Sequence, residues 1–480
     1  MFRATLTCIL LALVFCPTTR AAADRPNFIL FLADDISWDE FGCYGHPTIK
    51  TPHIDHLAAR GLRFTNAYLT TSSCSPSRCS IITGRYPHNT GAPELHTSLP
   101  AGQVLFPELL KDAGYYTVLS GKHHMGKNAN PAFSKISKGK GPGKEGDWVQ
   151  LLKDRPKDKP FFCWYASTDA HRGWSINDEA PTYDPKDVIV PPYLVDGPKT
   201  REDLTGYYHE VSRFDHFVGE VVEELKRQDV LDNTVIIVMS DNGRPFPRCK
   251  TRLYDSGIKT PFIAHFPKVV KAAVTESLVS VIDIAPTVLE LAGVKRDKRL
   301  QGVSFAPLLD DPQAVTRDVV FAEHNWHVYR NHERLVRTGD WLYIRNNFPD
   351  QQNLCVEAYL GGAGEELWEM EKAGKLANAQ ENVFWNPCPA EELYHVGNDP
   401  HQLTNLAAES KFEATREKMR RLLQMWAKQT ADTIPQNPTP HRDAPPGSPP
   451  KSRRGFKHLE MPGDARGAQK INHPGPIRAN

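Results

Sequence analysis

The run Cys74-Ser75-Pro76-Ser77-Arg78 puts a thiol, a proline and a guanidinium close together, and Thr83-Gly84-Arg85 closes the stretch. Pro76 suits the first turn of a helix, where its missing N–H is no loss, and Gly84 suits the residue just past the end. A short helix over 76–83 therefore sets Cys74 at its mouth with Arg78 in reach. Free N–H groups and the helix dipole favour an anion there, and a guanidinium adds a two-pronged clamp. A rival pairing in the same stretch, Cys79 with Arg85, has the bare spacing of a thiolate phosphatase. Such a loop turns many N–H groups toward phosphate, usually through glycines, whereas Ser80-Ile81-Ile82-Thr83 reads as a buried helical turn. An ordinary buried cysteine near a helix start is the plain alternative.

The elements that must position such a site follow from four apolar runs. Residues 26–33, 115–120, 160–166 and 235–239 read as strands buried on both faces of a parallel sheet. They end in Asp34-Asp35, in Lys122-His123-His124, in Asp169 and His171, and in Asp241-Asn242. In open α/β sheets ligands bind beyond the carboxyl ends of strands, so four polar endings together describe one site. The fold class expected is α/β, a large mixed, mostly parallel sheet sandwiched by helices, among them a long amphipathic one over 204–227 and one over 282–292.

From about Arg334 short alternating runs predict a smaller C-terminal antiparallel-sheet subdomain, closed by a basic amphipathic helix over 412–429. The domain reading is a leader over 1–23, a catalytic α/β domain over 24–330, an α+β subdomain over 331–430 and a tail over 431–480. The tail is Pro-rich and basic, a composition that predicts disorder. Residues 134–146, rich in Lys and Gly, read as a surface loop with solvated charges.

Asp34, Asp35, Asp241 and Asn242 offer only hard oxygen donors, which suit Ca²⁺ or Mg²⁺ rather than Zn²⁺. Arg78, Lys122, His124, His171 and Lys250 can offset that negative charge and grip an anionic substrate. The balance fits metal-assisted hydrolysis of a sulfate or phosphate ester. His53, His56 and His123 read as surface or packing residues. In Glu323-His324-Asn325-Trp326-His327, the imidazoles of His324 and His327 are candidates for a substrate pocket.

The chain has 480 residues, with 58 basic and 57 acidic side chains. That length calls for one large domain and a smaller one, and the balanced charge gives no case for a nucleic-acid protein. Arg3, an apolar stretch over 8–15 and Ala21-Ala22-Ala23 have the pattern of a secretory leader, predicting export to the periplasm or extracellular space. No membrane span is predicted. Past residue 23 seven cysteines remain, an odd number that singles out one thiol.

On these residues the chain resembles the type I sulfatases of the alkaline-phosphatase-like superfamily. The cysteine motif with Thr83-Gly84-Arg85 matches their signature, and Asp34-Asp35, Gly121-Lys122-His123-His124 and Ser240-Asp241-Asn242-Gly243 match further. Glu392-Leu393-Tyr394, Asn398-Asp399-Pro400 and Thr404-Asn405-Leu406 resemble the family's C-terminal block. The resemblance implies a formylglycine made from Cys74 by a formylglycine-generating or anaerobic sulfatase-maturating enzyme. It also implies one divalent cation, Ca²⁺ ahead of Mg²⁺, on Asp34, Asp35, Asp241 and Asn242. Arg78 would hold the activated diol, His124 would orient or deprotonate it, and Lys122, His171 and Lys250 would neutralise the sulfuryl oxygens. Asp169 is expected to orient His171, or else to contact the sugar.

Stretches such as Asp169-Ala170-His171-Arg172, Tyr183-Asp184-Pro185 and Asp241-Asn242-Gly243-Arg244-Pro245-Phe246-Pro247 are most similar to the branch that cleaves N-sulfoglucosamine. Ala170 stands where that branch commonly has proline, Lys250 where it has arginine, and its long C-terminal end is not matched. The substrate expected is therefore a sulfated glycan, N-sulfoglucosamine first. An O-sulfatase on another sulfated polysaccharide is the alternative. A sulfoglycan-binding protein with unconverted Cys74 is the reading from another class.

Overall fold

The structure is a computed structural model and describes residues 25–352, 354–444 and 457–479. The expected leader over 1–23 lies outside the described residues. In chain order the strands are β1 (Asn27–Ala33), β2 (Leu62–Phe64), β3 (Ala67–Tyr68), β4 (Tyr116–Gly121), β5 (Lys135–Ser137), β6 (Phe161–Ala166) and β7 (Thr234–Ser240). They continue as β8 (Phe262–His265), β9 (Ala273–Thr275), β10 (Val279–Ser280), β11 (Val320–His324), β12 (Glu333–Arg337), β13 (Trp341–Asn346) and β14 (Glu391–His395).

Eight strands form one sheet in the order β5-β4-β6-β1-β7-β8-β2-β9. From β5 to β7 every neighbour is parallel, and β8 runs against both β7 and β2. The mixed, mostly parallel α/β class read from the apolar runs is the class observed. All seven residues of β1 are buried, and alternate side chains point to opposite faces. Phe28, Leu30 and Leu32 pack with the helices Cys74–Thr83, Phe106–Asp112 and Ile284–Leu291 on one side. Ile29 and Phe31 pack with Trp148 and the 30-residue helix Pro198–Arg227 on the other. Truncating any of these β1 side chains to alanine removes apolar contact on one face and costs about 2–5 kcal/mol.

A separate antiparallel sheet follows, in the order β11-β12-β13-β14, with the helix Glu413–Thr430 packed on it through Met419, Leu422 and Trp426. Its first strand is β11, which lies ahead of residue 331 and pairs with a strand beyond it. In the register Phe321 and Ala322 pair with Val336 and Leu335, so β11 belongs to the hairpin partner downstream.

Of the tail, the most Pro-rich and basic part, residues 445–456, lies outside the described residues. Residues 431–444 and 457–479 lie ordered against the body of the protein, without a core of their own. Main-chain carbonyls do part of the holding: Gln469 and Ile471 accept from Arg85, Ala468 accepts from Asn89, and Pro440 accepts from Trp326 Nε1. Side chains do the rest, among them Asp432 on Arg334 and Thr439 on Glu94. The described cysteines are all free thiols. Among the described residues no helix is long and apolar enough to cross a membrane.

Candidate active site

The helix Cys74–Thr83 begins two residues earlier than its proline suggests, with Ser73 extended (φ −150°) just before it. Gly84 ends it in the left-handed conformation (φ 61°), and a Cβ there would meet the Cβ of Ala285 at 2.9 Å. Every residue of the helix is buried. Its N-terminus points to the carboxyl ends of β1, β4, β6 and β7, where the loops are stitched together. Asp34 N–H donates to Asp169 O (2.8 Å), Lys122 N–H to Ala166 O (2.9 Å) and Asp241 N–H to Ala33 O (3.1 Å). Asp35 takes a left-handed turn (φ 64°), a conformation that short polar side chains tolerate, and this sends both carboxylates inward.

Around Cys74 the structure gathers most of the residues expected. Its Sγ lies 3.8 Å from Asp34 Oδ1 and 3.3 Å from Asn242 Nδ2. Single ligand atoms of Asp34, Cys74 and Asp241 all fall within 4.8 Å of one another. Asn242 Nδ2 also reaches Asp35 Oδ1 (3.0 Å) and Asp241 Oδ1 (2.7 Å), while its Oδ1 is buried without a hydrogen-bond partner. Arg78 donates from Nε to Asp241 Oδ2 (2.6 Å) and from Nη1 to Lys122 O (2.7 Å). Lys122 pairs with Asp34, and Lys250 with Asp35 at 2.6 Å. Three carboxylates thus face three fixed cations.

Burial dominates the electrostatics. It raises Asp35 to about 7 and Asp241 to about 6, against the pull of Lys250 on the first and Arg78 on the second. Burial would raise Asp34 as well, but Lys122, His171, Arg78 and Lys250 together hold it well below the usual carboxylate range. Burial pushes the Cys74 thiol up to about 12, so at neutral pH it is a thiol and no thiolate nucleophile. Burial and the neighbouring Lys122 lower His124 to about 2, and Lys250 with burial lowers His171 to about 4. Both imidazoles are neutral at working pH. His171 Nδ1 lies 2.6 Å from Arg172 O, a pure acceptor, so Nδ1 carries the proton and Nε2 is left with a lone pair. His124 Nε2 meets His96 Nδ1 at 2.8 Å.

These groups open into a cavity of about 550 Å³, whose wall includes Asp34, Lys122, His124, Thr168, His171 and Arg172. His327 borders the centre from the other domain, its Nδ1 2.7 Å from Ser73 Oγ, one residue before Cys74.

Two expected roles need correction. Asp169 lines the cavity but makes no hydrogen bond to His171, whose Nδ1 goes to Arg172 O. It makes a two-pronged pair with Arg213 at 2.7 and 2.8 Å, in a buried group with Glu145 and Glu210. His324 is tied through Nδ1 to Glu333 Oε2 (2.8 Å), which Arg252 also binds, so it serves the junction of β11 and β12. His324 ends a strand, as the site residues follow theirs, but this strand belongs to the second sheet. The rival pair also dissolves: Cys79 is buried in the core, and Arg85 faces away from it into the tail.

Sequence reasoning missed Arg213 and Glu357, the latter buried 3.7 Å from Lys250. For Arg213 a signal existed, since it falls three residues after Glu210 and four before Phe217, among the inward positions of an amphipathic helix.

A family model described as sulfatase matches residues 26–144 and 146–294. A second, described as the C-terminal part of N-sulphoglucosamine sulphohydrolase, matches residues 249–350. The chain is 32% identical over 468 residues to human N-sulphoglucosamine sulphohydrolase, covering 85% of this chain and 91% of that one. It is 30% identical over 455 residues to an ulvan-active sulfatase of Formosa agariphila, covering 91% and 86% respectively. A solved structure in complex with D-glucosamine-2-N,6-O-disulfate superposes with a TM-score of 0.64 at 20% identity, over 84% of this chain and 98% of the other. That likeness speaks for the fold.

Proposed function

The chain belongs to the sulfatase family, enzymes that hydrolyse sulfated sugars, and on that premise we propose that its substrate is N-sulfoglucosamine of heparan-type glycans. The observation that carries the catalytic part is the placing of position 74 amid Asp34, Asp241, Asn242, Arg78 and Lys122 at one helix mouth. The choice of sugar is supported by the C-terminal match over residues 249–350, which includes Lys250. Cys74 is the residue converted to formylglycine, by a formylglycine-generating or anaerobic maturating enzyme.

Asp34, Asp35, Asp241 and Asn242 would hold one divalent cation, Ca²⁺ ahead of Mg²⁺. The fit rests on their all-oxygen donor set and on the buried, unpartnered Oδ1 of Asn242. A bound cation supplies positive charge that acidifies the nucleophile and offsets the sulfate oxygens. The hydrated aldehyde supplies two hydroxyls, one to attack sulfur and one to release sulfate as the aldehyde re-forms. Arg78, locked on Asp241 and Lys122 O, has its Nη2 still unpartnered and can hold the diol. Lys122, Lys250 and the exposed edge of His171 face the place where negative charge develops on the sulfuryl group. Neutral His124, too weak a base at about 2 to take a proton, can orient the diol by a hydrogen bond. His327 positions Ser73, and through it the start of the catalytic helix.

Mass spectrometry of the Cys74 peptide, from protein made with its native maturation system, tests the chemistry. An unconverted thiol there would favour the sulfoglycan-binding reading. Sulfate release from N-sulfated against 6-O-sulfated glucosamine tests the sugar, and no release from the N-sulfated one would remove that assignment. The identity to an ulvan-active sulfatase favours, in that case, an O-sulfatase on another sulfated polysaccharide. Export to the periplasm or extracellular space rests on the leader-like residues 1–23, and N-terminal sequencing of exported protein checks it.

A further inference from the structure

Between β4 and β6, around the short strand β5, the chain collects cations on one side of the cavity. Residues 127–144 contain Lys127, Lys135, Lys138, Lys140 and Lys144 and no acidic residue. All five are exposed, and none makes an ion pair among the described residues. The acids that follow are turned inward. Glu145 is buried and accepts from Ser167 Oγ, and Asp147 accepts from Ser120 and Ser137. The segment thus sorts its charges, with carboxylates inside and ammonium groups out.

Its position is set by topology. β5 runs parallel to β4, so its carboxyl end opens on the same edge of the sheet as Lys122 and His124. Lys138, Lys140 and Lys144 come directly after that end, and Lys127 comes three residues after His124. The loop is closed on itself by Gly146 N–H to Lys140 O (3.0 Å). Gly139 is required for this, since a Cβ there would meet Lys144 O at 2.1 Å. The loop is also pinned to the cavity wall. Thr168 donates from N–H to Gly143 O (2.8 Å) and from Oγ1 to Pro142 O (3.0 Å), and Pro142 and Thr168 both line the cavity.

We infer that this lysine rim binds anionic groups on sugar units beyond the one held in the cavity, so that the enzyme takes a sulfated oligosaccharide in preference to a free sulfated monosaccharide. The inference rests on the sulfated-sugar reading above. One exposed ammonium group adds little, but several at the mouth of a cavity raise the local concentration of a polyanion and its association rate, in a salt-dependent way. At about 0.15 M salt the Debye length is about 8 Å, short enough that only groups at the rim itself are felt.

The test is a triple variant, Lys138→Ser, Lys140→Ser and Lys144→Asn, the last because Lys144 has φ 72° and asparagine accepts that conformation. kcat/KM is measured with an N-sulfated monosaccharide and with a sulfated tetrasaccharide carrying the same terminal unit. The expected loss is about tenfold for the tetrasaccharide at low salt, shrinking as salt rises, with the monosaccharide and the Tm unchanged. Equal loss on both sugars, or no loss on the tetrasaccharide, overturns the inference. If the wild type cleaves neither sugar, the substrate reading has failed instead. Retention on immobilised heparin then decides the rim, since equal elution of wild type and variant overturns it.

Discussion

The helix that carries Cys74 is held differently at its two ends, although every one of its residues is buried. At the first end Arg78 binds a carboxylate and a carbonyl, and its Nη2 remains buried without a partner. At the other, Arg85 donates from all three nitrogens to neutral acceptors: the carbonyls of Asn89, Arg299, Gln469 and Ile471, and Asn472 Oδ1. One guanidinium keeps a donor in reserve among charges, and the other spends every donor on neutral oxygens. Buried donors without partners are costly, so the open one is left able to bind a further acceptor. The satisfied one marks an anchor.

This contrast can be broken by substitution. Cys74→Ala should lower turnover by at least about a thousandfold and leave the Tm within about 2 °C, because the thiol contributes no bond stronger than 3.3 Å contacts with Asn242. Comparable turnover in that variant would remove position 74 from the mechanism. Arg78→Ala should damage both quantities, leaving Asp241 buried without its partner at a cost of about 3–5 kcal/mol, read from urea unfolding, with activity lost as well. Arg85→Ala should show the opposite profile to Cys74→Ala: about 2–4 kcal/mol of stability lost, and kcat per folded molecule within about twofold. A large fall in kcat there would mean that the two ends are coupled.

The smallest effect is one of pH. Burial alone would raise Asp432, but the two-pronged Arg334 pair (2.6 and 2.9 Å) holds it well below the usual range. A depressed carboxylate stabilises above its unfolded pKa, near about 3.9, and the contribution is lost as pH falls through the folded value. Asp432→Asn should therefore cost about 2 kcal/mol at pH 7, with the gap to wild type closing below about pH 4. A gap that stays constant with pH would assign the loss to packing.

Much of this was legible in the sequence. A strand buried on both faces has to be a continuous apolar run, and polar residues at its end can only be there for the edge, so Asp34, Lys122, His171 and Asp241 were readable from their placing. Tertiary pairing was not. Asp169 ends a strand like the others, but its partner Arg213 lies 44 residues on, inside a helix whose pattern alone does not say which charges are buried. His324 ends a strand of the other sheet, and an apolar run does not state its sheet. The contacts of the described tail residues were not legible either, because composition measures the capacity to form a core and does not say which acceptors, such as the carbonyls of Gln469 and Ile471, a distant Arg85 will reach.

The anchor at Arg85 also has a place in time. Asn472 lies 387 residues further along the chain, so at about 5–20 residues per second the acceptors arrive roughly 20–80 s after Arg85 itself has been made. Throughout that interval this end of the helix lacks the contacts that Gln469, Ile471 and Asn472 make with Arg85. The order of synthesis thus completes the helix's far anchor last.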